Sequence, residues 1–146
     1  MTFQELLQLV VYFPHPEVRT GTLRFAADAF NSDGRFNGCI SPGARIDLTG
    51  DVTVGAHCMF GEGTRILTHD HFHRGREPLL ELQKRVGVKW RNKTIGSDVW
   101  LHDTIVLFQV ENIPDGVVVG AGSVLTKEPG AYEVWAGNPA RKIGER

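Results

Sequence analysis

Between Ile95 and Thr126 an aliphatic side chain returns at every sixth position: Ile95, Leu101, Leu107, Ile113, Val119 and Leu125. The earlier Val54, Phe60 and Ile66 keep the same step. A period of six matches neither the turn of an amphipathic helix nor the simple alternation of a half-buried strand. It suits a short strand, a sharp corner and another short strand, with one apolar side chain turned inward on each face. Three faces close a coil of about eighteen residues, and stacked coils hydrogen-bond as parallel strands about 4.8 Å apart. The next position is often glycine (Gly55, Gly61, Gly96, Gly120), which relieves corners where φ turns positive. The fourth position on is small or aliphatic at Cys58, Thr64, Val99, Ile105, Val117 and Ser123, with Glu111 the exception. The period predicts an all-β fold, a β-solenoid.

The step is less even before Val54. Ile40 and Ile46 are six apart, but Ile46 and Val54 are eight apart, which predicts a two-residue bulge near Thr49–Asp51. That register sets Cys58 over Gly38 and turns Cys39 to the other face of its strand. Both cysteines then read as small buried or half-buried fillers, not as a disulfide pair. At the start, Thr2-Phe-Gln-Glu5 has capping-box spacing ahead of Leu6, Leu7 and Val10, so a short helix is expected to cover the open end of the solenoid. His15 falls in a turn with Pro14 and Pro16. The segment 72–94 breaks the period and is expected to loop out. Within it Glu77 to Arg85 predicts a brief helix, with Pro78 at its start and Lys84 and Arg85 at its negative end. The organisation expected is one domain over residues 1–146, with a cap region at 1–35.

At 146 residues and 16.2 kDa the chain has room for one core. Sixteen Lys and Arg against seventeen Asp and Glu leave a net charge of −1, which argues against a nucleic-acid partner. No apolar run approaches the ~18 residues of a membrane span. The stretch Leu6 to Phe13 is interrupted by Gln8 and lacks the basic flank of a signal peptide. Two cysteines make no disulfide framework, so a soluble cytoplasmic protein is expected. Charge is uneven: residues 74–93 carry seven basic against two acidic side chains, leaving −6 elsewhere. Such a segment either attracts phosphates or an anionic acceptor, or is a solvated loop balanced by acidic neighbours.

Three stretches together carry a resemblance: Ile95-Gly-Ser-Asp-Val-Trp100, Val119-Gly-Ala-Gly-Ser-Val-Leu-Thr-Lys127 and Ala136-Gly-Asn-Pro-Ala-Arg141. From about Ile40 to Arg141 the chain resembles the hexapeptide-repeat acyltransferases, and within them the maltose, galactoside and xenobiotic O-acetyltransferase group. The resemblance implies a left-handed parallel β-helix, a homotrimer with active sites between subunits, and acetyl transfer from acetyl-CoA to a hydroxyl, usually of a sugar. It implies a histidine general base seventeen residues after the first aliphatic of a coil, which counted from Val54 is His71. It places CoA contacts at Gly120, Ala121 and Gly122, at Thr126 and Lys127, and at Arg141. Asp103 stands where the family has a CoA-contacting serine, and Gly144 where it has a second late basic residue. Asp47 and His69 are further candidates for acceptor binding.

The residues suit that chemistry. An imidazole with a pKa near 6.5 can take a hydroxyl proton at neutral pH, and positioning supplies much of the remaining effect. His69, His71 and His73 alternate, so a strand puts all three on one face. Asp70 either orients an imidazole or sits in a corner. His57 and His102 read as exposed residues, and Trp100 and Trp135 either flank the CoA groove or simply pack. Cys58, at an inward position, is poorly placed for a ping-pong thiol. Two other readings stay open: a non-catalytic trimeric scaffold, and a metal site like that of γ-class carbonic anhydrases built on the three histidines. Transfer to an amine is open as well. The expectation for the acetyl-transfer reading is that no metal is required.

Overall fold

A computed structural model describes residues 1–2, 4–6, 11–12 and 19–146. Among the described residues the strands of the coils form three sheets, one for each face that the period predicts, and two further strands form a small sheet of their own. The first face is β1 (Val11–Tyr12), β4 (Arg45–Ile46), β7 (Arg65–Ile66), β12 (Ile105–Val106) and β15 (Val124–Leu125). The second is β2 (Leu23–Phe25), β5 (Val52–Val54), β10 (Lys93–Ile95) and β13 (Asn112–Ile113). The third is β3 (Cys39–Ile40), β6 (Met59–Phe60), β11 (Trp100–Leu101), β14 (Val118–Val119), β16 (Glu133–Gly137) and β17 (Ala140–Glu145). All pairs within these sheets are parallel except β16 with β17, a hairpin that turns through the cis peptide Asn138–Pro139.

The core is a set of inward ladders. Ile46, Ile66, Val106 and Leu125 stack on the first face, Val54, Ile95 and Ile113 on the second, and Ile40, Phe60, Leu101 and Val119 on the third. Each is fully or almost fully buried. Burying such a side chain stabilises the fold by about 1.5–3 kcal/mol.

The period slips once. Val106, not Leu107, pairs with Ile66 and Leu125, so the step before it is one shorter and the step after it one longer. Leu107 is only half-buried. Thr104 and Val110 therefore take the small inward positions expected for Ile105 and Glu111, which removes the exception at Glu111. The longer crossing wraps an ammonium group. Lys93 Nζ donates to the carbonyls of Leu107 at 3.0 Å, of Phe108 at 3.2 Å and of Val110.

The cysteines stack as expected, with Cys39 opposite Met59 and so Cys58 opposite Gly38, where a Cβ would lie 2.5 Å from the Cys58 carbonyl oxygen. Cys58 is buried, but Cys39 is exposed because it points outward from its strand. The capping box at the start is formed: the Glu5 carboxylate accepts the Thr2 N–H at 2.7 Å, and the Thr2 hydroxyl accepts the Glu5 N–H at 3.3 Å. Leu6 is fully buried. The expectations for Leu7, Val10 and His15 lie outside the described residues. The solenoid begins earlier than the region 1–35 suggests, because β1 and β2 already pair with β4 and β5.

One excursion interrupts the coils. β8 (His69–His71) pairs antiparallel with β9 (Val88–Trp90), and α1 (Leu79–Val86) lies between them. Gly87, at φ 73°, ends α1 and its N–H reaches the Gln83 carbonyl. The excursion thus starts at His69, before the expected 72, and ends before Lys93, which with Thr94 belongs to the second face. Among the described residues no helix is long and apolar enough to cross a membrane.

Candidate active site

The excursion leaves the solenoid between the first and second faces, over the eight-residue crossing from Ile46 to Val54. Gly50 allows the close approach: a Cβ there would stand 2.2 Å from the Arg91 carbonyl oxygen. The Gly50 N–H donates to Thr68 Oγ1 at 2.9 Å, and the Arg91 N–H donates to the Thr68 carbonyl at 2.8 Å. The bulge expected at Thr49–Asp51 is therefore the seat on which the root of the hairpin rests.

Beneath that root lies Asp47, 3% exposed. Its Oδ1 accepts the Thr49 N–H at 2.9 Å and the Thr49 hydroxyl at 2.8 Å. Its Oδ2 accepts the N–H groups of Thr68 at 2.8 Å and of His69 at 2.9 Å, and lies 2.6 Å from His69 Nδ1. Burial pushes the Asp47 carboxyl up, but the hydrogen bonds from Thr49 and Thr68 outweigh it and hold the group below its ordinary range. Asp47 was an expected acceptor contact. The structure buries its carboxylate beneath β8, in contact with the His69 ring.

His69 and His71 stand on β8 with ring centroids 5.3 Å apart, edge to face. His73 lies past the end of the strand, exposed, with Nδ1 3.2 Å from the His71 carbonyl oxygen. Asp70 accepts the His71 N–H at 2.9 Å, and Lys89 Nζ lies 3.5 Å from its other oxygen. These contacts brace the hairpin. Among the described residues no three His, Cys, Asp or Glu side chains gather as a metal site would need.

The positions assigned to CoA, Arg141 apart, fall along the two edges of the first face. On one edge Asp103, at φ 48°, turns the corner between β11 and β12, and its Oδ1 accepts the Gly63 N–H of the coil below at 2.9 Å. Gly120, Ala121 and Gly122 make the equivalent corner one coil on, with Ala121 and Gly122 exposed. Thr126 and Lys127 leave β15 on the other edge, the side from which the histidine hairpin departs, and Lys127 is exposed. Arg141 lies on β17 opposite Ala136, exposed. Trp100 is exposed on the outside of the third face and stacks on His102 at 5.5 Å between centroids.

The basic loop is largely neutralised. Lys84 pairs with Glu81, Arg85 with Glu77, Lys89 with Asp70 and Arg91 with Glu111. Lys93 is 2% exposed and adds nothing to the surface field. The balanced-loop reading is the one the contacts favour. Neither the Asp47–His69 contact nor the burial of Lys93 was expected; the long step from Ile46 to Val54 was the one sign that this crossing is special.

No family model matches the chain. It is 32% identical over 97 residues to WcaF of Escherichia coli K12, which carries the name of a colanic acid biosynthesis acetyltransferase; the match covers 66% of this chain and 49% of WcaF. It is 27% identical over 108 residues to a chloramphenicol acetyltransferase of Klebsiella aerogenes, covering 65% of this chain and 51% of that protein. The chain thus spans about half the length of these curated relatives. Among solved structures, a hexapeptide-repeat-containing acetyltransferase from Vibrio cholerae superposes with a TM-score of 0.65 at 20% identity, over 88% of this chain and 75% of that one. A maltose O-acetyltransferase from Clostridium difficile 630 gives 0.58 at 22% identity, over 97% and 73%. The fold shared with these structures is the left-handed parallel β-helix. The chain's sequence relatives carry the name of acetyltransferases, and the solved structures that share its fold include a hexapeptide-repeat-containing acetyltransferase.

Proposed function

We propose that this protein transfers the acetyl group of acetyl-CoA to a hydroxyl of a sugar or another small hydroxylated acceptor, by direct attack in a ternary complex, and that it works as a homotrimer in the cytoplasm. The observation that carries the reading is strand β8, which sets the imidazoles of His69 and His71 5.3 Å apart at the edge of a solenoid whose relatives are named acetyltransferases. A β8 imidazole takes the acceptor's proton as its oxygen attacks the thioester carbon. The carbon–sulfur bond then breaks, and the proton passes to the departing CoA thiolate. The resemblance implies His71 for this base. Gly120, Ala121 and Gly122, Thr126 and Lys127, Asp103 and Arg141 are the proposed CoA contacts.

Cys58 supports a route without an acyl-enzyme. Burial pushes its thiol up to about 11, and its Sγ donates to the Gly96 carbonyl at 3.2 Å. The homotrimer is supported by Met59 and Trp100, large apolar side chains left exposed side by side on the outside of the third face. Free thiol release from acetyl-CoA, read against sugars, sugar nucleotides and amines, tests the reading. Release that depends on a hydroxylated acceptor supports it. Binding of CoA with no release from any acceptor favours a scaffold instead.

A further inference from the structure

We propose that the imidazole taking the acceptor's proton is His69, and that Asp47 is its positioning residue. This rests on the acetyl-transfer reading above and deepens it. A general base is effective when its ring is held in one tautomer and one orientation, and when the imidazolium formed on taking a proton is stabilised. His69 meets both conditions.

The carboxylate of Asp47 cannot turn away. Thr49 holds one oxygen by two bonds, and the N–H groups of Thr68 and His69 hold the other. The oxygen that meets the His69 ring is thus a fixed acceptor, 2.6 Å from Nδ1 on a buried side chain. A group that only accepts, at that distance, places the ring proton on Nδ1 and leaves the lone pair on Nε2. Thr49 Oγ1, 3.2 Å from the same Nδ1, has its own hydrogen directed to Asp47 and so presents an oxygen lone pair there too. The His69 side chain is 22% exposed, so it still reaches the surface. When Nε2 takes a proton, the positive charge forms against a buried carboxylate, where the attraction is stronger than in water.

The count of seventeen residues that points to His71 assumes that the coil runs on past Ile66. It does not. The chain leaves the solenoid at Thr68, whose N–H is tied to Asp47 and whose carbonyl is tied to Arg91. The geometry of that exit, not the count, favours His69, whose ring meets the buried carboxylate of Asp47.

The test is steady-state acetyl transfer by the full chain, with an acceptor chosen from the panel above, for wild type, His69→Ala, His71→Ala and Asp47→Asn. His69→Ala is expected to lose kcat by on the order of 10²–10⁴-fold with KM for acetyl-CoA unchanged, and added imidazole is expected to restore part of it. His71→Ala is expected to lower kcat by less than His69→Ala does and to gain nothing from added imidazole. Asp47→Asn is expected to lower kcat by more than about tenfold without changing KM for acetyl-CoA. In the same samples, nitrogen NMR of the imidazoles is expected to show His69 protonated on Nδ1 in wild type and a mixed population in Asp47→Asn. A merely structural role for Asp47 would leave the tautomer and the balance between kcat and KM unmoved. Loss of activity in His71→Ala with His69→Ala active overturns the inference and leaves the acetyl-transfer reading standing. An Asp47→Asn protein with wild-type kcat and tautomer overturns the role of Asp47. A wild type that transfers no acetyl group to any acceptor overturns the underlying reading, and the inference with it.

Discussion

The ammonium of Lys93 donates to the carbonyl of Leu107 at 3.0 Å, inside the corner where the six-residue step slips by one. Among the described residues its hydrogen-bond partners are three backbone carbonyls. Burial pushes its pKa down to about 8, against which the charges of Glu111 and Asp47 act only in part. The unfolded chain therefore binds more protons than the folded one between about pH 8 and 10.5, and this group's contribution to stability rises with pH across that window. Cys58, raised by burial to about 11, acts with the opposite sign above about pH 9. The comparison with Lys93→Met isolates the lysine. Denaturant unfolding of both proteins at pH 7.5 and 10 is expected to show wild type gaining on the variant by up to about 3 kcal/mol. A constant difference would mean that Lys93 is not buried as a cation.

The slipped register makes Val106 a core residue and Leu107 a marginal one. Val106→Ala is expected to cost about 2 kcal/mol and Leu107→Ala less than about 1 kcal/mol, although leucine loses more atoms. Urea unfolding of the two variants reads the order directly. The reverse order would restore the unbroken six-residue period.

Gly50 stands against backbone, so a methyl group has nowhere to go. Gly50→Ala is expected to cost about 1–3 kcal/mol and to displace the root of the histidine hairpin. Gly144 has open space around a Cβ and is the matched control. Gly144→Ala is expected to fall within about 0.5 kcal/mol of wild type. Thermal melts of both, run beside acetyl transfer, separate loss of fold from loss of site geometry.

The two thiols differ in access. Within one chain Cys58 is buried and Cys39 points outward beside Met59, so an aromatic disulfide reagent is expected to modify Cys39 in the faster of two phases and Cys58 only on unfolding. Cys39→Ala should abolish the fast phase, and Cys58→Ala should leave it intact. Fast modification of both would contradict the packing of Cys58 over Gly38.

Much of the fold is legible in the sequence because one side chain per face must be apolar, and the ladder from Ile95 to Leu125 repeats that demand. The demand is degenerate where two aliphatics are adjacent. Val106 and Leu107 satisfy it equally well, and what separates them is Lys93, fourteen residues before Leu107, which needs carbonyl partners. The first coil is obscured for a related reason: Ile40 and Ile46 keep the six-residue step, but Phe25 stands off that step from Ile40. The site was half legible. Alternation at His69, His71 and His73 marks the strand, but selection among the three rests on Asp47, a contact across 22 residues. The eight-residue step from Ile46 to Val54 was its one trace in the sequence.

The most direct test of the account is to follow a carbon-13-labelled acetyl group from acetyl-CoA through the protein with a hydroxylated sugar acceptor. Direct transfer from a ternary complex predicts that the label appears as an ester on the sugar, one acetyl per CoA thiol released, and that none is held on the protein at any time. Label retained on Cys39 or Cys58, or CoA bound with the label never leaving it, would contradict the account.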